Sequence, residues 1–166
     1  MPENKSIVIN TGPLIALVAA CGDLEILRLL YDKVLVPAEV AQEIRAGGVN
    51  GFAVLQFNAA TSWLRLFPNE LEISPFLYNT LDRGEASVIQ LAMNENIDTV
   101  CIDETIGRRA ARLNGLQLTG SIGILLRAKK EKRILSVASA IKLMQDRGIW
   151  LSEKVMQIAL KESGEL

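Results

Sequence analysis

Ser6-Ile7-Val8-Ile9-Asn10-Thr11-Gly12-Pro13-Leu14-Ile15-Ala16-Leu17 is the stretch that decides the fold. Its β-branched apolar run, Ile7 to Ile9, is too short for a helix and too uniformly apolar for a half-exposed strand, so it predicts a buried strand. Thr11-Gly12-Pro13 then turns the chain directly into a helix from Leu14 to Ala20, with proline at its first helical position. The same order recurs downstream. Val34-Leu35-Val36 is a short strand, and Pro37 opens a helix through Val40, Ala41 and Ile44 to about Arg45, stopped by Gly47-Gly48. Thr99-Val100-Cys101-Ile102 is a buried strand before a helix from Glu104 to about Leu113, and Leu116-Gln117-Leu118 is a strand before a helix starting near Ser121. Strands alternating with helices predict a three-layer α/β/α fold around a central parallel sheet. In such sheets ligands collect beyond the carboxyl ends of the strands.

Between these units the pattern is weaker. A helix capped by Asp23 carries Leu24, Leu27 and Leu30 to about Tyr31, and Gly84 opens a helix to about Asn96 with Val88, Leu91 and Ala92 on one face. Gly51 to Ala60 suits a helix, Trp63 to Leu66 a strand and Pro75 to Leu81 a short helix. Two final helices are expected over about Val137 to Asp146 and Ser152 to Lys161. No linker, repeat or low-complexity segment divides the chain, so residues 1–166 are expected to form one domain. The segment of about 137–166 either completes the core or forms a dimer or partner surface.

The composition narrows the chemistry. The 166 residues include no histidine, which removes Ser-His-Asp, Cys-His and histidine-zinc mechanisms and leaves carboxylate, lysine, hydroxyl or thiol chemistry. The 19 acidic residues make carboxylates the first candidates. A net charge of −1 excludes a polycation, so any nucleic-acid contact is confined to a local patch. Cys21 and Cys101 lie in separate apolar stretches, which excludes a CxxC pair or zinc knuckle and suits buried thiols in a reducing, cytoplasmic setting. Val18-Ala19-Ala20-Cys21 resembles a lipoprotein cleavage site, but Asn10 to Pro13 interrupts the apolar run and Glu3 accompanies Lys5, so export is not expected. No run reaches about 18 apolar residues, so no membrane contact is expected.

The polar residues at the strand ends carry the functional signal. Asn10 ends the first strand and Asp103-Glu104 follows the strand at Thr99 to Ile102. Glu39 and Glu43 lie four apart on the helix after Pro37, and Glu85 lies in the first turn after Gly84. If those helices flank the carboxyl edge, Asn10, Glu43, Glu85 and Asp103 converge on one pocket. Oxygen ligands without histidine or thiolate suit Mg²⁺ or Mn²⁺, which lowers the pKa of a bound water and holds a phosphodiester without an imidazole. A purely structural alternative exists for each: Glu85 favoured by the helix dipole, Glu39 and Glu43 solvated, Asp103 capping the next helix.

In their order, Ile7 to Leu17, Val36-Pro37-Ala38-Glu39-Val40-Ala41-Gln42-Glu43-Ile44, Gly84-Glu85-Ala86-Ser87-Val88-Ile89-Gln90-Leu91-Ala92, Ile102-Asp103-Glu104, Gly107-Arg108-Arg109-Ala110-Ala111 and Leu118-Thr119-Gly120-Ser121-Ile122-Gly123-Ile124-Leu125-Leu126 resemble the PIN-domain family, specifically its small stand-alone VapC-like toxins and related nucleases. The resemblance covers about residues 6–135. It implies a parallel sheet with acidic residues at the carboxyl edge, binding Mg²⁺ or Mn²⁺ for endoribonuclease chemistry. By position it assigns Asn10, Glu43, Glu85 and Asp103 as catalytic residues, with Asn10, Glu85 and Asp103 toward the metal and Thr11, Glu104 and Ser121 supporting them. It further implies RNA as substrate, a small antitoxin protein as partner and a homodimer. Asn10 departs from the family's usual aspartate and offers only a neutral carbonyl oxygen, so the site lacks one negative charge. Two functions follow: a ribonuclease with weakened metal affinity, or a catalytically silent module that binds RNA or protein. A nucleotide-binding protein of another class lacks its GxGxxG or GxxxxGK[ST] loop here.

Basic residues mark an RNA rim in the functional reading: Arg108 and Arg109 after Asp103, then Arg127, Lys129 and Lys130 at the end of the next helix. Their structural alternative is a solvated helix end, where cations also suit the dipole.

Overall fold

The computed structural model describes residues 5–47 and 51–166; the expected roles of Glu3 and Gly48 fall outside them. The chain begins with β1 (Ser6–Ile9), α1 (Thr11–Cys21), α2 (Glu25–Leu30), β2 (Lys33–Val36), α3 (Ala38–Arg45), α4 (Val54–Ala60) and β3 (Arg65–Leu66). It continues with α5 (Pro75–Thr80), α6 (Arg83–Asn94), β4 (Thr99–Cys101), α7 (Thr105–Leu113), β5 (Gln117–Thr119), α8 (Ser121–Lys130), α9 (Val137–Asp146) and α10 (Glu153–Glu162). The five strands form one parallel sheet in the order β3-β2-β1-β4-β5 with helices packed around it, the α/β/α arrangement expected from the alternation.

The central strand explains the core. Ile7, Val8 and Ile9 have no exposed surface, because β1 is flanked by β2 and β4 and covered on both faces. Each such side chain contributes about 1.5–3 kcal/mol by burial. Val8 stands level with Leu35 on one side and Val100 on the other. β1 connects toward one half of the sheet and β4 toward the other, so the chain reverses its direction of travel between them. The crevice between the carboxyl ends of β1 and β4 is where such sheets place ligands. The ladder continues past the strand ends: Asn10 N–H donates to the Cys101 carbonyl and Ile102 N–H to the Thr119 carbonyl, each at 3.1 Å. That register sets Asn10 beside the Ile102-Asp103 step.

Several local expectations are corrected. α1 begins at Thr11 with Asn10 as its N-cap residue, so Pro13 occupies the third helical position, where its missing N–H would also have had no intrahelical acceptor. Pro37 is the N-cap of α3 rather than part of it. Leu24, not Asp23, is the boundary residue of α2; Asp23 Oδ1 instead accepts from Glu25 N–H at 3.0 Å, a local Asx turn. Asp82 caps α6 and Glu104 stands at the N-cap of α7. The weakly patterned middle does contain the helix, strand and short helix expected, each shortened: α4, β3 and α5.

The last two helices divide their apolar residues. Ala140 and Met144 of α9 join the main core, while Val137, Ile141 and Ala159 pack into a smaller cluster with Leu126 and Leu151. Leu143, Val155 and Ile158 remain exposed. Both cysteines are free thiols, Cys101 buried in β4 and Cys21 half-buried at the end of α1. Among the described residues no helix is long and apolar enough to cross a membrane.

Candidate active site at the carboxyl edge of the sheet

The carboxyl ends of β1 and β4, with α3, α6 and α7, surround a cavity of ≈ 600 Å³. Asn10, Thr11, Glu43, Glu85, Asp103 and Glu104, all expected from the sequence, line it together. Asp82 lines it too, although sequence reasoning missed it. Its signal was the spacing Asp82-x-x-Glu85, the pattern of a capping residue three positions before a first-turn carboxylate.

Each side chain is held by a different device. Asn10 directly follows the central strand and is only 7% exposed, yet its Oδ1 has no hydrogen-bond donor. Such an orphaned acceptor costs about 1–3 kcal/mol unless a ligand satisfies it. Glu43 projects from α3 and accepts a 3.0 Å hydrogen bond from the Thr11 hydroxyl, which ties α3 to the start of α1. Asp103 accepts twice from Ser121, at 2.8 Å from the N–H and 2.9 Å from the hydroxyl. It therefore caps α8 rather than the helix that follows it. This is the role in which Ser121 supports the site.

Glycines allow this convergence. A Cβ at Gly84 would lie 2.6 Å from Glu43 Oε2 and 3.3 Å from Asn10 Oδ1, so only a residue without a side chain lets α6 approach. A Cβ at Gly107 would meet Ile102 at 2.9 Å and the Glu85 carboxyl carbon at 3.1 Å. Glu85 is thereby pressed between α6 and α7 and is 5% exposed. Its carboxyl is pushed up to about 7, first by burial and then by Asp82, Glu104 and Glu43. A carboxyl so placed exchanges a proton near neutral pH, or stays ionised if a cation balances it.

The donor set contains only oxygens, so it fits a hard divalent ion rather than zinc or copper. Among the described residues no three acidic side chains close around one point. Within this cavity the acceptor left without a partner is Asn10 Oδ1, which a hard cation that keeps several of its waters would satisfy.

The proposed rim is only partly beside this pocket. Arg108 spans the ends of β4 and β5, donating to the Ile102 carbonyl at 2.8 Å and the Thr119 carbonyl at 3.2 Å, so its guanidinium braces the strand that carries Asp103. Arg109 is exposed on α7 and does not line the cavity. Arg127, Lys129 and Lys130 lie elsewhere. α8 starts at the pocket and runs away from it for roughly 15 Å at 1.5 Å per residue, which carries its last turn to the opposite, amino edge of the sheet. There Arg127 donates to the Leu30 carbonyl at 2.8 Å, pairs with Glu131 and covers the Tyr31 ring at 4.8 Å. Lys129 pairs with Glu165 at 2.9 Å. Arg127, Lys129 and Lys130 thus stand on the part of α8 that leads away from the cavity, and none of them lines it. Glu39, four residues before Glu43, also points elsewhere: it is buried and accepts from Leu71 N–H at 3.0 Å.

A family model described as a PIN domain matches residues 6–165. No curated protein matches the chain.

Proposed function

Because the chain belongs to the PIN-domain family, a nuclease-like fold, we propose that its acidic pocket is the active site of a divalent-metal-dependent endoribonuclease, the VapC-like toxin half of a toxin-antitoxin pair. The observation that carries this is the buried, unpartnered Asn10 Oδ1 at the head of a pocket that also holds Glu43, Asp82, Glu85, Asp103 and Glu104. Asn10, Glu85 and Asp103 would hold Mg²⁺ or Mn²⁺. When bound, such an ion supplies positive charge for the phosphodiester and makes a water acidic enough to attack near neutral pH.

The chain's own residues divide the remaining work. Ser121 fixes both oxygens of Asp103, so the carboxylate enters the reaction already oriented. Thr11 fixes Glu43 in the same way. Glu85, pressed between α6 and α7, would present its carboxylate to the ion, whose charge would offset the burial and the neighbouring carboxylates that oppose its ionisation. Arg108 holds the ends of β4 and β5 in register and so keeps Asp103 against Ser121.

The second reading, a silent RNA- or protein-binding module, is favoured by one specific feature, the neutral amide of Asn10. RNA cleavage with Mn²⁺ should be measured for the wild type and for Asn10→Asp. The added carboxylate is expected to raise the cleavage rate and lower the Mn²⁺ concentration needed. Two folded proteins, neither of which cleaves any RNA, would refute the nuclease. A small antitoxin and a second copy of the chain are the partners that go with the toxin role. The exposed Leu143, Val155 and Ile158 on α9 and α10 offer an apolar surface for either.

A further inference from the structure

The helix N-termini around the cavity fall into two kinds. Those of α6 and α8 are closed by carboxylates, Asp82 accepting from Glu85 N–H at 2.9 Å and Asp103 from Ser121 N–H at 2.8 Å. Those of α1 and α7 have no side-chain cap, and these helices of 11 and 9 residues both end their positive poles at the same cavity. The N–H groups of the first turn, Thr11 and Gly12 in α1 and Thr105 and Ile106 in α7, have no acceptor within their helices. Gly12 leaves this surface bare, since a Cβ there would meet nothing within 4 Å. Thr105 is exposed and lines the cavity beside its own N–H.

The cavity thus has two opposed demands. Asn10 Oδ1, buried and without a donor, calls for a cation or a hydrogen-bond donor. The open ends of α1 and α7 call for an anion, because unsatisfied N–H groups and the helix dipole both favour negative charge. A cation alone would leave the second demand unmet, and an anion alone would face the surrounding carboxylates. A phosphate accompanied by its divalent counter-ion meets both.

We propose that the open N-termini of α1 and α7 form a backbone seat for one phosphate group of a single RNA strand. This rests on the ribonuclease reading and adds where the substrate's phosphate sits. Specificity at this seat is for the phosphate and not for a base, since backbone N–H groups carry no base information.

The test exploits proline. Glu104 has an extended backbone, φ −71° and ψ 135°, which is the conformation required before proline, and Thr105 is the first residue of α7. Thr105→Pro therefore removes the N–H without disturbing the helix, while Thr105→Ala removes only the hydroxyl. Binding of a short labelled single-stranded RNA is measured by fluorescence anisotropy in Ca²⁺, with inorganic phosphate as competitor, alongside thermal melting and Tb³⁺ luminescence for the cation site. Thr105→Pro is expected to weaken RNA binding about tenfold and Thr105→Ala less than about threefold, both with unchanged Tb³⁺ binding. Gly12→Ala, which covers the α1 end, should weaken it about threefold and serves if the proline variant melts early. RNA binding by Thr105→Pro equal to the wild type, or equal losses in the proline and alanine variants, overturns the seat. If the proline variant melts early, unchanged RNA binding by Gly12→Ala overturns it. Competition by inorganic phosphate as strong as by RNA assigns the seat to free phosphate and overturns the RNA assignment. A wild type that binds RNA through the seat but cleaves none refutes the nuclease alone, whereas one that cleaves with a KM unchanged by Thr105→Pro refutes the seat alone.

Discussion

The two edges of the sheet treat their charged side chains oppositely. At the amino edge Arg127 has a carbonyl, a carboxylate and an aromatic ring, and Glu165 has Lys129, the Ser136 hydroxyl and the N–H groups of Val137 and Ala138. Those contacts hold the Glu165 carboxyl well below the usual carboxylate range, the Ser136 hydrogen bond foremost. At the carboxyl edge Asn10 Oδ1 has no donor, Glu85 is raised to about 7 and the two helices that open on the cavity, α1 and α7, start without a side-chain cap. Polar groups that satisfy one another hold a fold together. A group left without a partner where burial makes that costly points to a binding place only beside other such groups: Glu39 Oε1 and Gln56 Oε1 also lack partners but lie away from the cavity, whereas Asn10 shares it with the raised Glu85 carboxyl.

Substitutions at the two edges should therefore separate activity from stability. The largest effect is expected for Asp103→Ala, which should cut RNA cleavage by about a hundredfold or more, with a stability loss of about 1–2 kcal/mol because α8 loses its cap. Cleavage assays and chemical denaturation check the two parts. Equal cleavage by the variant would erase the contrast between the edges.

Next comes the pH dependence of Glu85. Its carboxyl is raised in the folded state from 4.5 to about 7, so the folded protein binds more protons than the unfolded chain between those values. Stability should fall as pH rises through that window, by on the order of 2–3 kcal/mol, and Glu85→Gln should flatten the slope. Mn²⁺ should flatten it as well, by favouring the ionised form. Thermal melting across this pH range, with and without Mn²⁺, reads both.

Glu165→Ala should cost about 1–2 kcal/mol of stability at neutral pH and leave RNA cleavage unchanged. The Glu165 carboxyl is lowered on folding, so its contribution is present above about 4.5 and lost as pH falls below it. Denaturation at pH 7 and in acid should show the wild type and variant converging. The smallest effect is expected for Lys130→Ala. It lies exposed at the end of α8 and should change RNA affinity less than about twofold by anisotropy. A larger loss would return the amino edge to the binding surface.

The same contrast explains what was legible in the sequence. Strand-forming runs such as Ile7 to Ile9 announce themselves because a fully buried strand must be continuously apolar, and a polar residue directly after one, Asn10 or Asp103, is then conspicuous. α4, β3 and α5 were blurred because they are short and half-covered, Leu55 and Tyr78 standing exposed beside buried Phe57 and Leu77. The position of Asp82 depended on one residue of helix register, since the helix starts at Arg83 and not Gly84. The distance of the Arg127 to Lys130 group from the cavity has a directional reason, which a list of basic residues does not carry: a helix that follows a strand carries its far end to the opposite edge.

The strand order has a consequence in time as well as space. β1 is the first strand made, and it pairs with β4, which the ribosome delivers about ninety residues later. Asp103 acquires its acceptor geometry only once Ser121 has followed. The pocket is thus assembled through contacts of long sequence separation, which form slowly. A chain still being translated carries Asn10 and Glu43 without the residues that complete the cavity around them.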